Sequence, residues 1–99
     1  MSIQSDPKDN KMPKFVPGQM MATRNAALSL PADEIIKALN RHVIGDWGDL
    51  CEEDWKLNED ALASGGRLLS VYHTASGVKF YIITEWDHSV TTVLLPEDY

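Results

Sequence analysis

Thirty residues, Arg67 to Pro96 (RLLSVYHTASGVKFYIITEWDHSVTTVLLP), constrain this chain more than any other stretch. They read as three consecutive β-strands joined by two turns. Residues 67–74 and 78–84 are dense in β-branched and aromatic residues. Between them, Ala75-Ser76-Gly77 supplies a turn, with Gly77 free to take the positive φ of a tight hairpin. Asp87-His88-Ser89 reads as the second turn. A third strand, Thr91 to Leu95, stops at Pro96, which has no N–H to give a ladder. Side chains alternate along a strand, so Leu69 and Val71 share one face while Leu68, Ser70 and Tyr72 share the other. We expect Phe80 and Ile82 on the side of Leu69 and Val71. Neither face is wholly polar, which predicts helices over one and the N-terminal segment over part of the other.

The remaining apolar segments are sized to cover that sheet. Lys14 to Arg24 (KFVPGQMMATR) is interrupted by Pro17-Gly18 and offers at best a short edge strand. Ser29-Leu30-Pro31 opens a first helix, with Ser29 or its neighbour as cap and Pro31 in the first turn. Ala32, Ile35, Ile36, Leu39 and Val43 make its apolar stripe. Asp33 and Glu34 at its start and Arg41 and His42 at its end suit the helix dipole, and Gly45 fits the left-handed position that ends it. Between two glycines of the Gly45–Gly48 connection lies Trp47, an indole expected to plug the core. Asp49 and Glu52 have capping-box spacing, although Asp46 competes as the cap. A second helix then runs to about Ser64, where Gly65-Gly66 stops it. Its expected inner face is Leu50, Asp54, Leu57, Asn58 and Ala61. Glu52, Glu53, Lys56, Glu59 and Asp60 face outward. The prediction is a polar tail over residues 1–13 and one α+β domain over residues 14–99. That domain would be a three- to four-stranded antiparallel meander with two helices packed on one face.

Charge and cysteine usage exclude several classes of function. A net charge of −6 argues against binding duplex DNA, which rewards Lys and Arg, and against an anionic membrane surface. A single cysteine, Cys51, rules out an internal disulfide and a multi-cysteine zinc site. No apolar run approaches the roughly 20 residues of a membrane span, and no signal peptide is visible, so a cytoplasmic protein is the simplest expectation. There is no phosphate-binding glycine loop, nucleophile elbow or nucleotide fingerprint, and no cofactor is expected.

Four constellations could carry chemistry. In the turn Glu85-Trp86-Asp87-His88, with His73 expected near it across the hairpin, carboxylates and imidazoles could serve as general acid and base or hold a metal. No metal-ligand spacing is present, however, and Asp87 bonding its own turn accounts for the same residues. His42 with Asp46 and Asp49 makes a second pair, but the favourable placement of His42 at the helix end explains it without a catalytic role. Cys51 stands near a helix N-terminus, but amid carboxylates that oppose a thiolate it reads as a small buried hydrophobe. Asp54 and Asn58 interrupt the inner stripe of the second helix, where burial would demand a partner. Arg67 or the backbone of the Gly45–Gly48 loop could provide it, bracing the fold.

The segments FVPGQMMAT, RHVIGDWGDL, EDWKLNEDAL, RLLSVYH and YIITEWDHSVTTVLLPEDY together resemble a family of small uncharacterised bacterial proteins associated with plasmids, phages and other mobile elements. The resemblance covers roughly residues 15–99. It implies no settled activity, and its mobile-element setting raises the reading of an accessory protein that acts by binding. His88 departs from the family's pattern, which has a basic Arg at this turn, and this weighs against a catalytic His88. Seven acidic residues and one Lys between Asp46 and Asp60 add a surface. Its outer carboxylates Glu52, Glu53, Glu59 and Asp60 could dock a basic protein, including one whose nucleic-acid site they occupy by charge mimicry. The expected function is therefore binding of a protein partner. A small metal-dependent or acid–base hydrolase using Glu85, Asp87, His88 and His73 is the alternative.

Overall fold

A computed structural model describes residues 12–99. Of the polar tail expected over residues 1–13, only Met12 and Pro13 fall within it, both exposed; the rest lies outside the described residues. The elements run β1 (Gln19–Ala22), α1 (Arg24–Ser29), α2 (Ala32–Val43), α3 (Glu52–Ser64), β2 (Leu68–His73), β3 (Lys79–Thr84) and β4 (Val90–Leu94), followed by a 3-10 turn at Pro96–Asp98. The strands form one sheet in the order β1-β4-β3-β2. The architecture is α+β, with the predicted meander at its centre.

Three-residue turn geometry sets the register of the meander. Thr74 N–H bonds the carbonyl of Val78, Gly77 takes φ 93°, and Tyr72 therefore faces Phe80 while Ser70 faces Ile82. Pairing 74 with 78 puts even residues opposite even ones, so Leu68, Ser70, Tyr72, Phe80, Ile82 and Thr84 share one face. Leu69, Val71, Tyr81 and Ile83 share the other. The expected grouping of Leu69 and Val71 with Phe80 and Ile82 is thus off by one residue, and one residue is enough to invert a face.

β1 adds the second departure from an antiparallel meander. It pairs in parallel with β4, Gln19 opposite Val90 and Ala22 opposite Val93. The chain enters this strand beside the Glu85–Ser89 turn, where Gly18 (φ 71°) approaches so closely that a Cβ would lie 2.4 Å from the carbonyl oxygens of His88 and Ser89. Entry at the end where β4 begins leaves only the parallel direction.

Helices cover the even-numbered face. Ala26, Leu30, Ala38 and the partly buried Ile35 and Leu39 pack on Tyr72, Phe80, Ile82 and Val93. Phe15, Trp47, Ala61 and Leu68 form a second cluster, joined by Val43, Leu50, Trp55 and Leu62. α1 was not foreseen; Thr23 caps it by accepting from Ala26 N–H at 3.1 Å. Asp98 then binds the cap, accepting from Thr23 Oγ1 (2.6 Å) and Asn25 Nδ2 (2.7 Å). Those hydrogen bonds hold its carboxyl below the usual range. With α1 in place, α2 starts at Ala32 with Pro31, not Ser29, at its N-cap. It ends as predicted at Gly45 (φ 84°): Gly45 N–H bonds His42 C=O and Asp46 N–H bonds Arg41 C=O, the paired bonds of a Schellman ending. Its buried residues are Ala38 and His42, while Ile36 is exposed.

The odd-numbered face is covered by the C-terminus rather than by the described part of the N-terminal segment. Tyr99 meets the ring of Tyr81 edge-on at 5.7 Å. Phe15 instead inserts on the helical side, its ring 5.4 Å from His42 and 6.4 Å from Trp47.

Candidate functional site

Of the expected sites, the Glu85–His88 turn is the least able to act. Asp87 Oδ1 accepts from both the N–H (3.1 Å) and the hydroxyl (2.7 Å) of Ser89, an Asx turn whose hydrogen bonds hold the carboxyl below its usual range. His88 adopts φ 60°, places its ring 5.2 Å from Phe15, and leaves Nε2 enclosed without a hydrogen-bond partner among the described residues. Glu85 closes the turn through its backbone, bonding Val90 and His88. His73 is not near. It ends β2 at the other end of the sheet, where Nδ1 lies 2.7 Å from Asp49. One hairpin carries the chain away from His73 and a full strand separates the two. Among the described residues no three His, Cys, Asp or Glu side chains gather as a metal would need.

His42 is the chemical centre of the interior, and it does not join Asp46 or Asp49. Those carboxylates are taken by Arg41, bidentate to Asp46 at 2.8 and 3.2 Å, and by His73. The imidazole turns inward from the last turn of α2 and is fully buried. Its Nδ1 lies 2.6 Å from Ser70 Oγ and its Nε2 2.9 Å from Thr84 Oγ1. Thr84 Oγ1 lies 2.7 Å from Thr91 Oγ1, which donates to the carbonyl of Pro17 at 2.6 Å. Each proton in this series can be assigned. Pro17 C=O can only accept, so Thr91 spends its one hydrogen there and must accept from Thr84. Thr84 has then spent its own and must accept from Nε2–H. A neutral ring leaves Nδ1 as the acceptor of the Ser70 hydroxyl. The relay Ser70→His42→Thr84→Thr91→Pro17 is complete with the ring neutral, and burial lowers the imidazole pKa to about 4.

A serine hydroxyl donating to an imidazole at 2.6 Å is the geometry of an activated nucleophile. Here, however, Ser70, His42, Thr84 and Thr91 are each 0% exposed, so no substrate reaches the hydroxyl. What the arrangement does is tie β2, β3 and β4 to α2 and to the segment before β1. Sequence reading missed Ser70, Thr84 and Thr91. The available signal was three hydroxyl residues at inward-facing, alternate positions in otherwise apolar strands.

The second helix places its polar residues differently from expectation. Asn58 is buried and bonds the β2 backbone twice, accepting from Leu69 N–H at 3.1 Å and donating to Leu69 C=O at 2.6 Å. Asp54 is exposed and makes no hydrogen bond or ion pair among the described residues. Arg67 partners neither; its guanidinium lies over the Tyr99 ring, 5.5 Å from the centroid. The inner side of α3 is Trp55, Asn58, Ala61 and Leu62, while Leu57 is 63% exposed. Cys51 is the N-cap residue and is exposed, not buried, and the Asp49–Glu52 capping box does not form. Glu59, expected only on the outer face, accepts from the Trp47 indole N–H at 2.8 Å. Trp47 itself is the predicted plug, 0% exposed.

What reaches solvent is therefore the outer side of α3. Glu52, Glu53, Asp54 and Asp60 are exposed and in no ion pair among the described residues, and Leu57 lies among them. Beside the helix two shallow grooves of ≈ 220 and ≈ 300 Å³ share Leu50, Asp54, Leu69 and Tyr99 as lining. No protein-family model, curated protein or solved structure matches this chain.

Proposed function

We propose that this protein acts by binding a protein partner through the outer side of α3, and that the partner is basic. The observation that carries the reading is Leu57, 63% exposed in the middle of a helix whose carboxylates Glu53, Asp54 and Asp60 stand three or four residues away and form no ion pair among the described residues. An apolar centre with a charged rim is the usual anatomy of a contact surface. The helix dipole accounts for Glu53 and Asp54 in the first turn, but it gives no reason for Leu57, which lies exposed between them and Asp60. Concentrated negative charge speeds encounter with a positive surface and orients it. A protein that binds nucleic acid offers such a surface, and the resemblance to mobile-element proteins points to one in the bacterial cytoplasm. The alternative hydrolase has less behind it, because Asp87 is committed to Ser89 and His73 lies at the far end of the sheet.

The test changes Glu53 and Asp60 to Lys, sparing Glu59 because it holds Trp47. The double variant should keep its circular dichroism and a cooperative melt and lose partners that wild type captures from a bacterial lysate at low salt. Capture should also fade as salt shortens the screening length below about 8 Å. Identical, salt-insensitive capture by both proteins would refute the reading.

A further inference from the structure

The two edges of the sheet are treated differently by the rest of the chain. On β2 the outward backbone groups are Leu69 and Val71. Asn58 pairs with both groups of Leu69, while Val71 N–H bonds Trp47 C=O and Asp49 N–H bonds Val71 C=O. On β1, Gln19 and Thr23 direct their N–H groups to Ser89 and Val93 of the β4 side. Alternation sends Met21 the same way and turns the N–H and C=O of Met20 and Ala22 outward. Among the described residues nothing bonds those groups, and all four residues of β1 are exposed. The strand is QMMA. It has no Lys, no Pro and no inward charge, the usual devices that discourage pairing at an edge.

We propose that the β1 edge pairs with the β1 edge of a second copy of this chain, antiparallel about a two-fold axis, to make an eight-stranded sheet. Charge selects this occupant. The chain carries 15 acidic residues, yet residues 12–32 contain Lys14 and Arg24 and no Asp or Glu. Asp98, beside this region, is already bonded by Thr23 and Asn25. Two copies of net charge −6 repel over most of their surface and can meet most cheaply here. A strand with open edge groups is also self-complementary under a two-fold.

The backbone fixes the register. Centring the axis on Met21 places Met20 opposite Ala22 of the second copy at both ends and forms four hydrogen bonds from the outward groups. Shifting it to centre on Met20 would demand Gly18 in a strand, which its φ of 71° prevents, and centring on Ala22 would demand Arg24, which is in α1. Met21 of each copy then forms a non-hydrogen-bonded pair, the closest kind, about 4.5 Å between Cα atoms. A four-residue edge buries less than the roughly 1,200 Å² of a stable interface, so the dimer is weak and concentration-dependent.

The experiment uses the full chain with Cys51→Ser, which removes the exposed native thiol. Sedimentation equilibrium from micromolar to millimolar protein should show a monomer–dimer transition. Mild oxidation should link Met21→Cys into disulfide dimers and leave Met20→Cys largely monomeric. Met21→Lys, which sets two ammonium groups opposite one another, should abolish the transition without changing the melting temperature. A chain that stays monomeric at every concentration, or one whose Met20→Cys variant links as fast as Met21→Cys, overturns the proposal. The monomeric result would leave the edge to a strand from a different protein.

Discussion

The edge at β2 and the edge at β1 belong to one sheet, yet the chain invests heavily in one and nothing visible in the other. At β2, a helix side chain and a loop supply the hydrogen bonds that a fifth strand would otherwise supply. Asn58 imitates a peptide group against Leu69, and the Trp47–Asp49 segment forms a single parallel bridge, Gly48 to Val71. That bridge needs glycine: at Gly48 (φ 76°) a Cβ would stand 2.0 Å from the Val71 carbonyl oxygen. At β1, four exposed residues pair, among the described residues, with β4 alone, and the relay from His42 secures the preceding Pro17 from beneath. The difference teaches that a sheet edge can be closed from within by a side chain and a loop, while its opposite edge is left open among the described residues.

Breaking the sealed edge should have the largest consequence. Trp47 is wholly buried against Phe15 and His42, its carbonyl receives Val71 N–H, and its indole is held by Glu59. Truncation to Ala should cost about 3–5 kcal/mol, most of the stability of a small domain. Urea denaturation of Trp47→Ala should show a midpoint near zero denaturant, or no cooperative transition. Trp47→Phe should recover part of the loss, because most of the core volume is restored while a smaller void remains and the Glu59 bond is missing.

Acid tests the tie between the two edges. His42 is neutral in the fold, with its pKa lowered to about 4 by burial, whereas in the unfolded chain it titrates near 6.5. Between those values the unfolded state holds a proton that the folded state lacks, so stability falls as pH is lowered. The contribution is complete above pH 6.5 and is lost on the way down to pH 4. At about 1.4 kcal/mol per pH unit, it amounts to about 3 kcal/mol. Asp87 and Asp98, whose carboxyls are held low, lose their contribution only below the 3.8 of a free aspartate, so the windows separate. Denaturation midpoints measured from pH 7 to 4.5 should decline for wild type, and His42→Asn should be less stable but nearly flat across that range.

A smaller effect is expected at Asn58. Removing its amide strands Leu69 N–H and C=O at a buried edge, so Asn58→Ala should destabilise by roughly 1–3 kcal/mol. Native-state hydrogen exchange should show the Leu69 amide opening first. An Asp in its place keeps the acceptor but turns a carboxylate oxygen on the Leu69 carbonyl at a buried site, and should cost at least as much as Ala.

Much of this organisation was legible in the chain. The meander, the Gly45 and Gly65 helix ends, the Ala75-Ser76-Gly77 turn and the buried Trp47 follow from local rules, because turn residues and alternation act over a few positions. Apart from α1, whose Thr23 cap is a local signal that was missed, the failures are cases in which tertiary contacts decide. The parity of strand facing depends on which residues close the hairpin, and the parallel placement of β1 depends on where the chain re-enters the sheet. The relay joins Pro17, His42, Ser70, Thr84 and Thr91, five residues with no shared local pattern. Helix α3 has apolar residues on more than one side, so its periodicity left the phase open, and the choice that buries Leu57 and Asp54 is not the one adopted. Exposure of Cys51 follows from the same rotation.

That rotation gives the smallest and most discriminating prediction. Asp54 and Asn58 lie one turn apart on α3 and both interrupt apolar sequence, so from sequence they look equivalent. In the fold Asn58 closes the β2 edge while Asp54 is exposed beside the grooves and bonds nothing among the described residues. A surface carboxylate without a partner contributes little, and it lies within the first turn of α3, where the helix dipole favours negative charge by about 0.3–1 kcal/mol. Asp54→Ala should therefore lower stability by no more than about 1 kcal/mol, with an unchanged denaturant slope. Placed beside Asn58→Ala in the same titration, it isolates the edge from the helix as the source of stability. Equal losses at the two positions would mean that α3 is braced along its whole length and that the β2 edge is not specially sealed. A loss confined to Asn58 would locate the seal in one amide.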